Sequence, residues 1–362
     1  MSMFRKTDDG SVLSSDGRVI FFSCSRFIAD IVQGNCCFIC GARPGTVPFN
    51  DEHILPDWIL RKCKLHDNTI NLPNGEKFRY ARFRIACCEP CNSKMGRELE
   101  RPMSGLFAGG YEAFAQYLKD ESPWFLFGWM CLIFLKAHLK DNALYFHKDR
   151  RKGEQRIGEL HAWQDLHHIH CVARSFYTQC ELRAEVCGSL LVLPAKNIPG
   201  VESFDYGDLS FAQTMLLRID DIAVIAVLDD SNALNSIGVD KMWKIKGALS
   251  PLQLREIAVR MAVHNLLLAE RPFFSSEMDL EHEECAIVAH RARDIRFEEP
   301  TAENEELFGR MMQHHCGPMI PEGPEKDYIM EQMGAGHYTF LLDEQGEFRA
   351  DHIDVINPEN SV

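Results

Sequence analysis

The sequence has no apolar run long enough to cross a bilayer. Its longest, WFLFGWMCLIFL at 124–135, stops at 12 residues, against the roughly 20 that a spanning helix needs. It lacks an apolar stretch behind the basic residues of its opening MSMFRKTDDGSVLSSDG, so no secretory leader is expected. It has no internal repeat and no low-complexity tract, which sets solenoids and disordered linkers aside. These absences predict a folded cytoplasmic protein without membrane contact. In that compartment the 14 cysteines are expected to remain largely as thiols or metal ligands rather than disulfides.

Positive charge is also short, but unevenly so. The whole chain carries 39 Lys and Arg against 53 Asp and Glu, a formal net charge of −14. Residues 1–110 hold 15 bases against 12 acids, whereas residues 275–362 hold 6 bases against 21 acids. The N-terminal third is therefore the part suited to face phosphate, and the acidic tail suits solubility or a protein partner.

With 362 residues, 46% of them hydrophobic and 25% charged, the chain can bury a sizeable core, and its length predicts one large or two ordinary domains. The first third is broken by Gly, Pro and Asn and carries eight of the cysteines, the composition of a small domain that needs a staple. From about residue 106 the pattern changes. GLFAGGYEAFAQYLK and PWFLFGWMCLIFLKAHLKDNA place apolar residues at helical spacing, the second nearly all round, as in a core helix. HIHCVARSFY, GSLLVLPA, FAQTMLLRI and IAVIAVLDD, between about 166 and 230, read as strands of one sheet. Ser250-Pro251-Leu252-Gln253 offers an N-cap, a first-turn proline and a capping-box partner, predicting a helix to about Ala269. HYTFLLDEQGEFRADHI predicts a hairpin turning at Gly346. The fold class expected is α+β, with a small zinc-stapled domain over 1–105 and a larger α+β domain over 106–362.

Cys37-x2-Cys40 is answered, after 47 intervening residues, by Cys88-x2-Cys91. Two such knuckles suit tetrahedral zinc, because each tight turn presents two thiolates to one ion. Cys36 and Cys87 directly precede the knuckles and compete for the assignment. The Cys-x2-Cys members are taken as the ligands.

Between the knuckles stands Asp51-Glu52-His53-Ile54-Leu55-Pro56, and Asn92 follows the last cysteine directly. Over about residues 36–104 this layout resembles the zinc-stapled HNH (ββα-metal) endonucleases, and more distantly phage endonuclease VII. The resemblance implies a divalent cation, Mg²⁺ or Mn²⁺, held by Glu52 and Asn92, with His53 as general base. It implies hydrolysis of phosphodiesters in DNA, with RNA left open, and a place in restriction or phage defence. The alternative is a zinc module that binds nucleic acid or protein without cutting it.

A hard cation prefers oxygen ligands and keeps several waters, so one carboxylate and one amide oxygen make a reasonable set. Adjacent strand residues point to opposite faces, so Glu52 and His53 can share a site only where the strand is distorted or ends, and Pro56 suggests an end. Asn92 would open a helix, NSKMGRELERPMSG, that Pro102 and Gly105 help to end. At about 100° per residue Glu100 returns to within about 80° of Asn92. It is thus a candidate auxiliary ligand or a group orienting His53, the alternative being an ordinary charged face.

For the polymer, Lys77, Arg79, Arg82 and Arg84 alternate with aromatic residues in KFRYARFRI, and Arg61, Lys62 and Lys64 form a second cluster. Either suits a phosphate backbone or a solvated face. HHIH at 167–170 would put His168 and His170 on one face of a strand, but no acid or Cys partner is set by spacing. The C-terminal domain is expected to bind a regulatory protein or a second copy of the chain.

Overall fold

The computed structural model of the chain describes residues 4–237, 244–279 and 284–350. In chain order its main elements are β1 (Phe4–Lys6), β2 (Val12–Ser14), β3 (Val19–Phe21), β4 (Phe49–His53), α1 (Asp57–Lys62), β5 (Thr69–Asn71), β6 (Lys77–Arg79), β7 (Arg84–Cys88), α2 (Glu89–Met95), α3 (Arg101–Ala108), α4 (Gly110–Asp120), α5 (Trp124–Asp141) and α6 (His167–Ala173). There follow β8 (Glu181–Leu182), β9 (Leu190–Pro194), β10 (Phe204–Leu209), β11 (Thr214–Ile219), β12 (Ile222–Val227), α7 (Pro251–Leu266), β13 (Phe273–Asp279), β14 (Glu284–His290), α8 (Ala302–Cys316) and α9 (Pro324–Gly334). Helix and sheet are mixed in the manner of an α+β protein.

The chain forms two compact units, and they do not follow the single cut expected near residue 105. One, the knuckle unit, takes residues 1–105, 122–187 and 273–290; the other, the sheet unit, takes 106–121, 188–272 and 291–362. The reason lies in α5 and α6, which pack on each other and, for α5, on β7.

In the knuckle unit β4 and β7 form an antiparallel hairpin, β5 and β6 a second, and β1–β3 a small meander. β13 and β14 pair antiparallel, and β8 adds a short parallel strand to β14. Beside that strand Cys180 and Cys285 form a disulfide, an exception to the expected run of free thiols. Fifteen of the 18 residues of α5 are buried, as its nearly unbroken apolar sequence requires. Among the described residues no single helix is long and apolar enough to cross a membrane.

Two local expectations are corrected here. HIHCVARSFY is helical, forming α6 and a further turn at Ser175–Thr178. Residues two apart on a helix lie about 200° apart, so His168 stacks on Phe274 at 4.1 Å while His170 turns inward. The helix after Cys88 does not end at Pro102 or Gly105. Its i→i+4 ladder widens into a π-turn over Gly96–Glu100 and resumes in α3, which places the proline, with no N–H to give, in the first turn of the resumed helix. Within KFRYARFRI a 3-10 turn at Tyr80–Arg82 separates β6 from β7.

In the sheet unit β10, β11 and β12 run as an antiparallel meander with β9 on the far edge of β12. All twelve residues of β11 and β12 are buried. GSLLVLPA, FAQTMLLRI and IAVIAVLDD thus carry strands as expected, and FDYGDL adds β10. α7 begins with the expected capping box between Ser250 and Gln253 and lies against this sheet. Its buried Glu256 accepts from Arg260 Nε at 2.9 Å, Thr339 Oγ1 at 2.6 Å and the Leu341 N–H at 3.2 Å, so the segment after α9 is fastened to α7. At Gly346, with φ +77°, the chain turns with one bridge, Leu342 to Phe348. The Arg349 N–H also donates to Leu341 O at 2.9 Å, but residues 337–350 form no longer ladder, so the expected hairpin is reduced to this turn, and 351–353 lie outside the described residues.

Candidate metal centre

The first knuckle is shaped by its backbone. Gly41 N–H donates to Cys37 O, and Cys37 N–H to Ala42 O, both at 2.8 Å. Gly41 sits at φ +77°, and a Cβ there would come within 2.6 Å of the Phe22 ring, so glycine is needed for both conformation and space. The second knuckle uses a strand-to-helix junction: Cys88 closes β7 and caps α2, Pro90 occupies the first turn, and Cys91 lies one turn in.

These two turns bring the Sγ atoms of Cys37, Cys40, Cys88 and Cys91 all within 4.8 Å of one another, with Cys40 and Cys88 3.6 Å apart. Four thiolates at about 2.3 Å from a tetrahedral ion would stand about 3.8 Å apart. The cluster could therefore hold a metal ion such as zinc. It is the one group of three or more Cys, His, Asp or Glu with metal-binding spacing among the described residues. Cys36 stands outside it, while Cys87 Sγ lies 3.8 Å from Cys37 Sγ, beside the quartet rather than in it. Hydrogen bonds from Cys40, Cys87 and Cys91 draw the Cys37 thiol pKa down, and the same contact pushes Cys40 up to about 12. Thiols packed this closely oppose one another's ionisation, a conflict that a bound dication relieves.

α6 props up the first knuckle. His170 Nε2 meets Phe38 O at 2.9 Å. The fully buried Arg174, just past the helix end, donates to Ile39 O and, across the meander, to Ile20 O at 3.1 Å and Val19 O at 2.6 Å. The HHIH motif thus serves the knuckle's backbone. Sequence reasoning missed Arg174.

No known protein family, curated protein or solved structure matches this chain.

β4 pairs with β7 so that Asn50 faces Cys87, Glu52 faces Ile85 and His53 faces Arg84, and α2 follows β7 directly. β4 ends at His53, as Pro56 suggested. Glu52 Oε1 accepts from Lys136 Nζ at 2.9 Å, and the same ammonium donates to the His53 carbonyl at 2.8 Å. Lys136, on α5, is fully buried. Glu100 comes to the same cluster: Trp58 Nε1 donates to its Oε2 at 3.0 Å. Burial pushes the Glu100 carboxyl up to about 7, with Lys136 opposing and the charge of Glu52 adding to the rise. Asn92 reaches β4 through its Nδ2, which donates to Asn50 Oδ1 at 2.8 Å. Asn50 and Glu52 share a strand face by alternation, and His53 takes the other.

His53 is half-buried, and its Nε2 is enclosed without a hydrogen-bond partner among the described residues. Burial lowers its pKa from the ordinary 6.5, and the neighbouring Arg84 lowers it further, so the ring is neutral at pH 7. An enclosed, unpaired nitrogen costs about 1–3 kcal/mol, a penalty that calls for a functional reason.

The structure therefore gathers the quartet, sets Glu52 and Glu100 about Lys136, and brings Asn92 to β4. Lys136 was legible in one respect: a cation within a core helix requires a counter-charge. Of the basic residues, Lys77, Arg79, Arg82, Arg61 and Lys62 are exposed and Arg84 is partly buried. Arg61 pairs with Asp57 at 2.5 Å and Arg79 with Asp67 at 4.0 Å.

Proposed function

We propose that the knuckle unit is a metal-dependent endonuclease of the HNH type that hydrolyses DNA phosphodiesters. The observation that carries this reading is the order β4–β7–α2, in which the second cysteine pair sits at the β7–α2 junction and sets Asn92 against the strand that ends in His53. The donor set suits a hard cation. Lys136 engages one Glu52 oxygen and Asn92 uses its N–H, which leaves Glu52 Oε2 and Asn92 Oδ1 as oxygen donors. A bound Mg²⁺ or Mn²⁺ would steady negative charge developing on the phosphate. Neutral His53 takes the proton of the attacking water. Lys136 fixes the end of β4 through the His53 carbonyl, and Arg84, opposite His53 in the ladder, keeps the imidazole from ionising early.

Lys136 favours a second reading. Its ammonium already neutralises Glu52, as a zinc module that binds nucleic acid or protein without cutting would require.

One experiment decides between them. Purified full chain, its zinc content measured, is incubated with supercoiled plasmid, single-stranded DNA and single-stranded RNA in Mg²⁺ or Mn²⁺. The nuclease reading expects metal-dependent nicking of plasmid that His53→Ala abolishes with zinc unchanged. Equal nicking by His53→Ala removes the base assignment, and no cleavage of any substrate leaves the non-cutting module. Faster cutting of RNA moves the substrate.

A further inference from the structure

We propose that residues 145–156, YFHKDRRKGEQR, form a second phosphate-binding ribbon of the knuckle unit, which with the β5–β6 hairpin takes the backbone of duplex DNA. The proposal rests on the knuckle unit binding nucleic acid, and is independent of whether it cuts.

The segment closes on itself. Tyr145 bridges Arg156, Phe146 N–H donates to Gln155 O at 2.8 Å, and a 3-10 turn over Arg150–Lys152 is capped by Asp149. Its five cations, Lys148, Arg150, Arg151, Lys152 and Arg156, are all exposed. Asp149 takes Arg151 at 2.8 and 2.7 Å. The other four make no ion pair among the described residues, and the acid left to oppose them within the ribbon is Glu154.

Two of those four are held ready. The guanidinium groups of Arg150 and Arg156 lie 4.1 and 5.2 Å from the Tyr145 ring centroid. A guanidinium resting on a ring has fewer conformers to lose when it meets a phosphate; Arg156 also donates one Nη1 hydrogen to Ala143 O at 3.3 Å, which anchors it and leaves its other N–H groups to a phosphate.

The ribbon is also joined to the basic insert. Asn74, in the turn between β5 and β6, donates through Nδ2 to Tyr145 O at 2.9 Å. The strand leaving that turn, β6, carries exposed Lys77 and Arg79. Two sequence segments about seventy residues apart thus present adjoining rows of cations on a chain whose net charge is −14, a concentration that non-specific solubility does not require.

The ring geometry favours duplex over single strands. Single-strand binders stack bases on free aromatic faces. Here Tyr145 is occupied by guanidinium groups, and Phe146, edge-on to His147 at 4.8 Å, is a single exposed ring rather than the succession of faces on which successive bases stack.

The test uses full chain bearing His53→Ala, with no added divalent ion, and measures Kd for a blunt DNA duplex across a salt series. The quadruple variant K148Q/R150Q/K152Q/R156Q is expected to bind at least about tenfold more weakly at low salt, with the slope of log K against log salt reduced by about 0.9 for each phosphate no longer neutralised. R150K/R156K, which keeps the charge, should retain most of the slope. Equal affinity and slope in the quadruple variant would overturn the proposal while leaving the His53 assignment to the cleavage assay. Tighter binding of single strands than of duplex, or no duplex binding by the parent at low salt, would overturn it as well. Loss of plasmid nicking in His53→Ala beside an unchanged salt slope in the quadruple variant would sink the ribbon alone.

Discussion

The β4–β7 hairpin of the knuckle unit and the β11–β12 hairpin of the sheet unit share one kind of antiparallel ladder and stand by different means. Every residue of β11 and β12 is buried, so at about 25 cal/mol per Å² of apolar surface that ladder is secured by exclusion of water. β4, FNDEH, has no fully buried residue. It relies on point fastenings: the cysteine cluster, the Lys136 ammonium, and the packing of α5 on β7. Both units do use one device, a buried arginine that donates its N–H groups to backbone carbonyls. Arg218 does so at Lys196 O, 2.7 Å away, and at Glu202 O and Asp220 O, each at 3.2 Å, as Arg174 does in the knuckle unit. A polar strand cannot be secured by burial, and point fastenings are the remaining way to hold it.

The largest break in this comparison should come from the thiols. Cys88→Ser, or chelation, is expected to release the metal and unfold the knuckle unit, since structural zinc contributes on the order of 10 kcal/mol in small domains. Metal analysis with calorimetry should show one thermal transition abolished and the sheet unit's retained. Next is Lys136→Met, which leaves Glu52 and Glu100 without their cation and should cost about 3–5 kcal/mol in urea unfolding. Adding Glu52→Gln should recover part of that loss, and no recovery would mean the pair is not coupled. In the sheet unit Leu217→Ala, at a fully buried site, should cost about 2–5 kcal/mol and move only the other transition.

The smallest effect is a pH limb. Burial, with the charges of His314 and Arg255, lowers His315 to about 4, against the pull of Asp208 and Asp205. The unfolded chain takes its proton near pH 6.5 and the native state only near 4, so stability should fall as pH drops through that window. His315→Gln should flatten it, and an unchanged acid limb in calorimetry would assign the loss elsewhere.

What was legible in the sequence follows from how local each signal is. The α7 capping box, the apolar α5 and the strands of β9, β11 and β12 are written in short windows, and they stand where expected. The quartet was legible because two tight turns repeat one spacing. The partners of Lys136 and Arg174 were not, because they lie 84 and 135 residues away, and no local pattern announces a carbonyl needing a donor. HIHCVARSFY misled because β-branched and aromatic residues suit a buried helix as well as a strand. The π-turn before Pro102 was equally hidden, since the sequence marks a proline but not how the preceding turn accommodates it.

One consequence belongs to synthesis. The knuckle unit is completed by β13 and β14, whose Cys285 follows Cys180 by 105 residues. At roughly 5–20 residues per second, the closing hairpin leaves the ribosome about 5–20 s after the segment it pairs with. For that interval β8 has no β14 to pair with and Cys180 has no Cys285. The N-terminal region is therefore translated first yet stays open until residue 290, by which point more than half of the sheet unit's chain has also emerged.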